Sequence, residues 1–398
     1  MNKVKLMIFI LGMVIILAGC SDSGYKYTCP YSPDISSDVL SPYGLYTSLS
    51  SSQLIVMSRN IYLGADLSNL IDAFNPETIF AEAGFLLDDL TDSEFERRAR
   101  GIAREIKEIG PDVVGLQEVV TIFTGKADFI DNSSLNADCI EYDFLAILQA
   151  ALTAENLNYS VAISSINADI ELTDLKKDIR LRDSDVILVN DDTVSVVAGS
   201  DYAKVYNINF EFLGGILLPE LPDVIIKRSY SKISVTHTAS GEIVTIINTH
   251  LETQEFPFIQ EEQGDELIAY INSLNLDANP VILVGDINSD PGGSTPTYDN
   301  IMAYISVITD SWDDTELDNG FTCCYSSDLS SGTLSERIDH IFYINPTTSG
   351  LTTIISDDSY ITQESSGNSE KVEKTDGTFI WSSDHAGRVT GFTFGVVP

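Results

Sequence analysis

Short apolar runs recur along the chain, and many of them stop abruptly on strongly polar residues. The runs are Leu54-Ile55-Val56-Met57, Val113-Val114-Gly115-Leu116, Val186-Ile187-Leu188-Val189, Ile243 to Ile247, Val281-Ile282-Leu283-Val284 and Ile338 to Ile344. Their β-branched content and short length predict strands buried on both faces rather than helices. Helical spacing lies between them. From Asp92 to Ile109 the residues Phe95, Ala99, Ile102, Ala103 and Ile106 fall on one stripe, and Gly110-Pro111 stops it. Tyr142 to Glu155 and Glu261 to Leu274 follow the same pattern. Strands and helices that interleave along the whole length predict an α/β domain rather than two separate halves. Thr121 to Asp138 and Ser356 to Asp376 read as loops or insertions. No repeat period is visible, which excludes a solenoid or propeller.

The polar ends of these runs carry the candidate chemistry. Val113 to Leu116 runs into Gln117-Glu118, and Ile243 to Asn248 into Thr249-His250. Val281 to Gly285 runs into Asp286, with Asn288 two residues on. One such case is usually a solvated strand end. Several together fit an active site held on loops by a rigid sheet.

The first twenty residues fall outside this pattern. Lys3 and Lys5 precede an apolar stretch from Leu6 to Leu17, and Leu17-Ala18-Gly19-Cys20 follows. This order is that of a secretory signal, and its last four residues resemble a bacterial lipobox, which implies lipidation of Cys20. An uncleaved anchor is the alternative, but the stretch is short against the ~20 residues that a bilayer span requires. Residues 21–52, rich in Ser, Pro, Tyr and Gly, read as a tether. Residues 53–398 are then a single domain that carries the candidate chemistry. Ser21 after the lipobox cysteine implies an outer-membrane lipoprotein of the cell envelope, facing the periplasm or the exterior.

The formal net charge of −38 grows more negative once Lys3 and Lys5 are removed. Solubility or salt adaptation is the simplest reading of it. Such a surface does not attract phosphate backbones at long range, which argues against a general nucleic-acid-coating role. Beyond Cys20 the cysteines are Cys29, Cys139, Cys323 and Cys324, an even number in an exported chain. Three connectivities are formally open. Direct pairing of Cys323 with Cys324 is disfavoured, because ordinary disulfide geometry needs separated α-carbons. No cysteine spacing indicates a zinc site.

Glu118, Asp286, Asp339 and Asp384 would repel one another in a single pocket unless a cation neutralised them. Oxygen ligands without thiolates favour Mg²⁺, Mn²⁺ or Ca²⁺, which can polarise a phosphoryl oxygen. The chain has four histidines, His237, His250, His340 and His385. His385 follows Asp384 directly, and a neutral imidazole held by a carboxylate is a competent base for activating water.

With these residues identified, the chain resembles the endonuclease/exonuclease/phosphatase superfamily, whose members include deoxyribonuclease I-like nucleases, bacterial sphingomyelinases and inositol-polyphosphate phosphatases. The matching segments occur in the family's order: Val56-Met57-Ser58-Arg59-Asn60, Gly115-Leu116-Gln117-Glu118, Asn248-Thr249-His250-Leu251-Glu252, Gly285-Asp286-Ile287-Asn288, Arg337-Ile338-Asp339-His340-Ile341 and Ser383-Asp384-His385. The resemblance implies a four-layer α/β (α+β) sandwich of two mixed sheets flanked by helices. It implies Glu118 as principal metal ligand, with Asn60 and Asp384 assisting, and Mg²⁺ (or Mn²⁺/Ca²⁺) as cofactor. His385, oriented by Asp339, would be the general base. Asp286 and Asn288 would position the nucleophile and hold the phosphoryl group, and His250 would contact the phosphate. The expected reaction is in-line attack of water on phosphorus without a covalent intermediate. The spacing of Asp286 and Asn288 places both on one face of an extended segment.

Val120 occupies a position where nuclease members carry a nucleic-acid-contacting arginine. Arg180 and Arg182, in the run Asp178 to Asp183, could contact phosphate, although a surface ion-pair run is the simpler reading. Phe321 to Tyr325 reads as packing or as part of a substrate rim. Asp286 to Asp290 begins like an EF-hand loop, but Pro291 and Thr297 stand where that loop needs Gly and Glu. The expected function is therefore phosphodiesterase or phosphatase action by a monomer on a phospholipid head group, a sugar phosphate or nucleic acid. An exported nuclease and a non-catalytic envelope binding protein on the same fold are the alternatives.

Overall fold

A computed structural model of the chain describes residues 52–65, 76–127, 135–173, 176–212, 224–312, 319–363 and 370–397. The leader, Cys20, Cys29 and nearly all of the tether lie outside the described residues. Every predicted apolar run is a strand. They span Leu54–Asn60, Val113–Gln117, Lys177–Asn190, Ile243–His250, Val281–Asp286 and Asp339–Ile344.

Two mixed sheets contain these strands, one of ten strands and one of seven. In the first, Leu54–Asn60 lies between Val113–Gln117, parallel to it, and Arg388–Val396, antiparallel to it. In the second, Ile243–His250 runs parallel to Val281–Asp286, and Val281–Asp286 runs antiparallel to Asp339–Ile344.

The alternation of side chains along each strand explains why these runs are apolar throughout. Val56, Val113 and Ile187 of the first sheet meet Ile246, Ile282, Val284 and Ile341 of the second in one buried cluster. Their neighbours Ile55, Met57, Val114 and Leu188 point the other way, into a cluster shared with Phe95, Ala99, Ile102, Ala103 and Ile106. On the outer face of the second sheet, Ile247, Leu283 and Phe342 pack with Leu267, Ile271 and Ile301. Each strand therefore faces the partner sheet on one side and helices on the other. This is the four-layer sandwich that the resemblance implied. Full burial of one Ile, Leu or Phe side chain contributes about 1.5–3 kcal/mol, so the fold is set mainly by these two-sided strands.

The predicted helical stripe forms Phe95–Ile109, closed by Gly110 in the left-handed conformation. It does not begin at Asp92. A separate helix, Pro76–Asp92, ends there, and Glu94 breaks the path with φ of 45°. The other two predicted helices run Phe144–Ala154, with Asp143 capping the Ala146 amide, and Pro257–Ser273. Two predicted loops contain strands. Thr121–Lys126 pairs with Lys177–Asn190 across the first sheet, and Thr352–Ile361 pairs with Arg388–Val396 at its edge. Both are rich in Thr, Ser or Gly, and this composition hid their pairing.

The cysteines correct one expectation. Cys323 and Cys324 are bonded to each other, across a cis peptide that sets their α-carbons 3.1 Å apart. The separation that ordinary disulfides need applies to cysteines apart in the chain and does not hold for this adjacent pair. Cys139 is also disulfide-bonded. Among the described residues, no helix is long and apolar enough to cross a membrane.

Candidate active site

Strand register brings the polar ends to one edge of the sandwich. His250 lies directly opposite Asp286, and Asp286 directly opposite Asp339. On the other sheet Asn60 pairs with Gln117, so Glu118 follows immediately beside it. Ser58 pairs with Arg388, which brings the Asp384-His385 loop alongside Asn60. The two sheets are tied at this edge by Asn60, whose Nδ2 donates to Glu118 Oε1 at 3.0 Å and to Asp286 Oδ2 at 3.1 Å. Its Oδ1 accepts from the Tyr62 amide at 2.9 Å. The second oxygen of Glu118 accepts from the Leu63 amide at 2.8 Å.

His385 Nδ1 lies 2.7 Å from Asp339 Oδ2, which leaves Nε2 facing inward, 3.9 Å from Asp286 Oδ2. His250 Nε2 is 3.7 Å from the same Asp286 oxygen. All eight predicted site residues, Asn60, Glu118, His250, Asp286, Asn288, Asp339, Asp384 and His385, thus meet at one place.

Asn288 reaches the site by another route than expected. It does not continue an extended segment but adopts φ of 50°. Its amide donates to Asp286 Oδ1 at 2.9 Å, and its Nδ2 donates to the Leu251 carbonyl at 2.9 Å. A tight turn, not strand alternation, joins the pair. The preceding Gly285 has φ of 149°, and any Cβ there would come within 2.0 Å of the Thr249 carbonyl oxygen. Only glycine lets the Asp286 strand approach its neighbour so closely.

The electrostatics reflect crowding of like charges. Burial pushes Asp286 up to about 7, and Asp339 across the strand pair adds to the effect. Burial also pushes Asp384 up to about 6, with Glu118 adding to it and His385 opposing. The two imidazoles are driven apart. For His385 burial favours the neutral ring, yet Asp339 and Asp384 outweigh it and hold the ring well above the usual histidine range. Burial, then Arg228 and His385, hold His250 well below that range. Their surroundings thus shift the two histidines in opposite directions.

Several contributors carried no clear signal in the sequence. Arg228 sits just before the Ser229–His237 strand, whose register sets Ser229 against His250. Its guanidinium approaches His250 Nδ1 at 3.0 Å and Nε2 at 3.1 Å, and pairs with Glu252 at 3.2 Å. Asp185 is buried 4.0 Å from His250 Nδ1, and burial raises both it and Asp183, the latter to about 6. The only hint was an i, i+2 pair of acids leading into an apolar run.

Two buried arginines hold the loops. Arg59 donates to the carbonyls of Asn60 at 3.1 Å and His385 at 2.5 Å. Arg98 donates to the carbonyls of Ile61, Tyr62 and Ser382 at 2.8–3.3 Å. Arg180 and Arg182 remain outside the site. Arg180 grips Asp169 with both nitrogens at 2.5 and 2.6 Å, and Arg182 reaches the same carboxylate at 3.4 Å. They form the ion-pair run that was the simpler reading.

The donor set fits a hard divalent cation. Four carboxylates share the pocket, at least two of them destabilised as anions by burial, and oxygen ligands of this kind suit Mg²⁺, Mn²⁺ or Ca²⁺. Asp286, Asp339 and His385 also offer ligand atoms within 4.8 Å of one another.

Facing mixed sheets with acids and imidazoles converging at one edge define a deoxyribonuclease I-like fold with a hydrolase-type site. The chain belongs to the Endonuclease/Exonuclease/phosphatase family, whose model matches residues 83–385, more than half of its length. The family consists of phosphoester hydrolases, generally dependent on a divalent metal. Among solved structures, the chain is similar to a mannosyl-6-phosphatase from Bacteroides thetaiotaomicron VPI-5482. The identity is 16%, the TM-score 0.52, and the match covers 85% of this chain and 99% of the other. A family protein from Bacteroides thetaiotaomicron gives 16% identity and a TM-score of 0.52, covering 85% of this chain and 97% of its own. A humanized D. rerio TDP2 gives 16% and 0.50, covering 86% and 99%. Comparison with curated proteins found no match. Identities this low speak for the fold alone.

Proposed function

We propose that this protein hydrolyses a small phosphoester with the help of a divalent cation, as a lipoprotein of the bacterial cell envelope. The observation that carries this reading is the meeting of Asn60, Glu118, Asp286, Asp339 and His385 within hydrogen-bond and ion-pair range at one sheet edge, with Asp384 near enough to feel the charges of Glu118 and His385.

Glu118, with Asn60 and Asp384, would hold a hard cation such as Mg²⁺, which supplies positive charge to the phosphoryl oxygens when bound. His385 takes a proton from the attacking water through Nε2, while Asp339 fixes Nδ1 and so the ring's tautomer and direction. A cation held by Glu118 and Asp384 would offset the Asp384 charge that helps to raise His385. Asp286 and Asn288, locked together by their turn, position the nucleophile. His250 and the adjacent Arg228 face the phosphoryl oxygens, with Arg228 as a fixed charge that Glu252 orients.

The net charge of −38 and the acids Asp183, Asp185 and Glu252 around Arg228 favour a compact substrate, such as a sugar phosphate or a phospholipid head group, over a polyanionic nucleic acid. The test is a panel of p-nitrophenyl phosphate, bis(p-nitrophenyl) phosphate, hexose phosphates, phospholipid vesicles and plasmid DNA, each with Mg²⁺ or with EDTA. Turnover of at least one small ester that needs Mg²⁺, exceeding turnover of DNA, is expected. Inactivity on every substrate with every metal would refute the reading. The envelope assignment rests on Cys20 and its preceding residues. Membrane-pelleted protein should become soluble when residues 1–20 are replaced by a cleavable signal without a lipobox, and equal partitioning of the two forms would reject the anchor.

A further inference from the structure

The Thr322 to Tyr325 segment forms a wall of the site. Thr322 Oγ1 accepts the amides of Ile338 at 3.3 Å and Asp339 at 3.1 Å, and its carbonyl accepts the Ala386 amide at 2.7 Å. The Tyr325 amide donates to the Asp384 carbonyl at 2.8 Å. The bonded pair Cys323 and Cys324 is therefore stitched to the neighbours of His385 on both sides.

Within this strap Cys323 is fully buried, with Sγ 3.6 Å from His385 Nε2, whereas Cys324 is exposed. The two sulfurs and an imidazole nitrogen of His385 all lie within 4.8 Å of one another. While the sulfurs are bonded to each other they offer no thiolate, and hard cations are left to the carboxylates. Once parted, they and Nε2 make a two-sulfur, one-nitrogen set of the kind that zinc and softer ions prefer. The other half of a zinc-binding histidine is also in place. His385 Nδ1 is held by Asp339 Oδ2 at 2.7 Å, and metal-ligating imidazoles characteristically give their second nitrogen to a carboxylate.

The geometry points to a thiol-gated zinc site made of Cys323, Cys324 and His385 Nε2, which shuts the enzyme when the disulfide is reduced. A dithiol attacks at the exposed Cys324 sulfur, passes two electrons and two protons to the pair, and becomes its own disulfide. Zn²⁺ then bonds to both sulfurs and to Nε2. Both thiol protons leave, and so does the Nε2 proton where the ring is charged. The inhibitory effect rests on the reading of His385 as the proton acceptor; the zinc site itself does not.

The full-length protein, oxidised or reduced with dithiothreitol and desalted under argon, is titrated with Zn²⁺ against a chromophoric chelator in millimolar Mg²⁺. Reduced protein is expected to bind one zinc more than oxidised protein, and one more than a Cys323→Ser/Cys324→Ser variant reduced in the same way. Hydrolysis of the best ester should fall about 10²-fold in zinc-loaded reduced protein only, since a positioned base contributes that much or more. Equal zinc binding by oxidised and reduced protein overturns the site, and extra zinc without loss of hydrolysis overturns the gating. Should the serine pair disturb folding, the single Cys324→Ser variant, reduced in the same way, takes its place. If no form hydrolyses any ester, the hydrolase reading fails, and the zinc stoichiometry still decides the site.

Discussion

Replacing His385 by alanine is expected to lower turnover of the best small ester by about 10³-fold, within the range a positioned base contributes, while the far-UV spectrum and melting curve stay close to wild type. Truncation removes the imidazole whose Nδ1 is anchored on Asp339 and whose Nε2 faces Asp286, and it leaves the sheets untouched. Asp339 is a positioning residue in this scheme. Asp339→Asn should therefore cost about 10²-fold, mainly in kcat, and should alter the acidic limb of the pH–rate profile, because the ring loses the partner that fixes its tautomer. A drop confined to KM in either variant would show that the pair binds substrate rather than moving a proton.

The second large effect concerns stability in the absence of metal. Asp286 stands at about 7, and Asp384 and Asp183 at about 6, all raised chiefly by burial. A raised carboxyl binds its proton more tightly in the folded protein than in the unfolded chain. Its contribution is complete below the unfolded value and disappears as pH climbs through the folded one. His385, raised well above the usual histidine range, acts in the same sense, and His250, lowered well below it, acts in the opposite one. At about 1.4 kcal/mol per pH unit for each group, the metal-free protein should lose on the order of 3 kcal/mol between pH 5.5 and pH 8. This corresponds to a fall of about 5 °C in Tm for a domain of this size. Mg²⁺ should restore most of the loss at pH 8 and change little at pH 5.5, because a cation binds the deprotonated carboxylates. Equal melting temperatures in EDTA at the two pH values would show that these acids are not gathered as described.

The parts of the fold that were legible in the sequence follow from burial on two sides. Strands such as Val281–Asp286 face a sheet on one side and helices on the other, so every position must be apolar and the run stands out. The Ser229–His237 strand is buried mainly on one face and carries Ser229 and Ser231 at buried positions, where Ser229 bonds Ser165 and Asn167, and polar residues at core positions disguise a strand.

The site was legible wherever a functional side chain terminates an apolar run, as with Glu118, His250 and Asp286. Arg228 and Asp185 escaped because they reach the pocket through strand register with partners far away in the chain. The Asn60 bridge between the two sheets could only be seen in three dimensions.

A cation shared by Glu118 and Asp384 is tested most directly by Mn²⁺ titration followed by electron paramagnetic resonance. Wild-type protein should take up the ion saturably, and Glu118→Gln and Asp384→Asn should each weaken uptake by about ten-fold, the usual scale for loss of a metal-site group. Mn²⁺ uptake that is absent from the wild type, or indifferent to both substitutions, would contradict it.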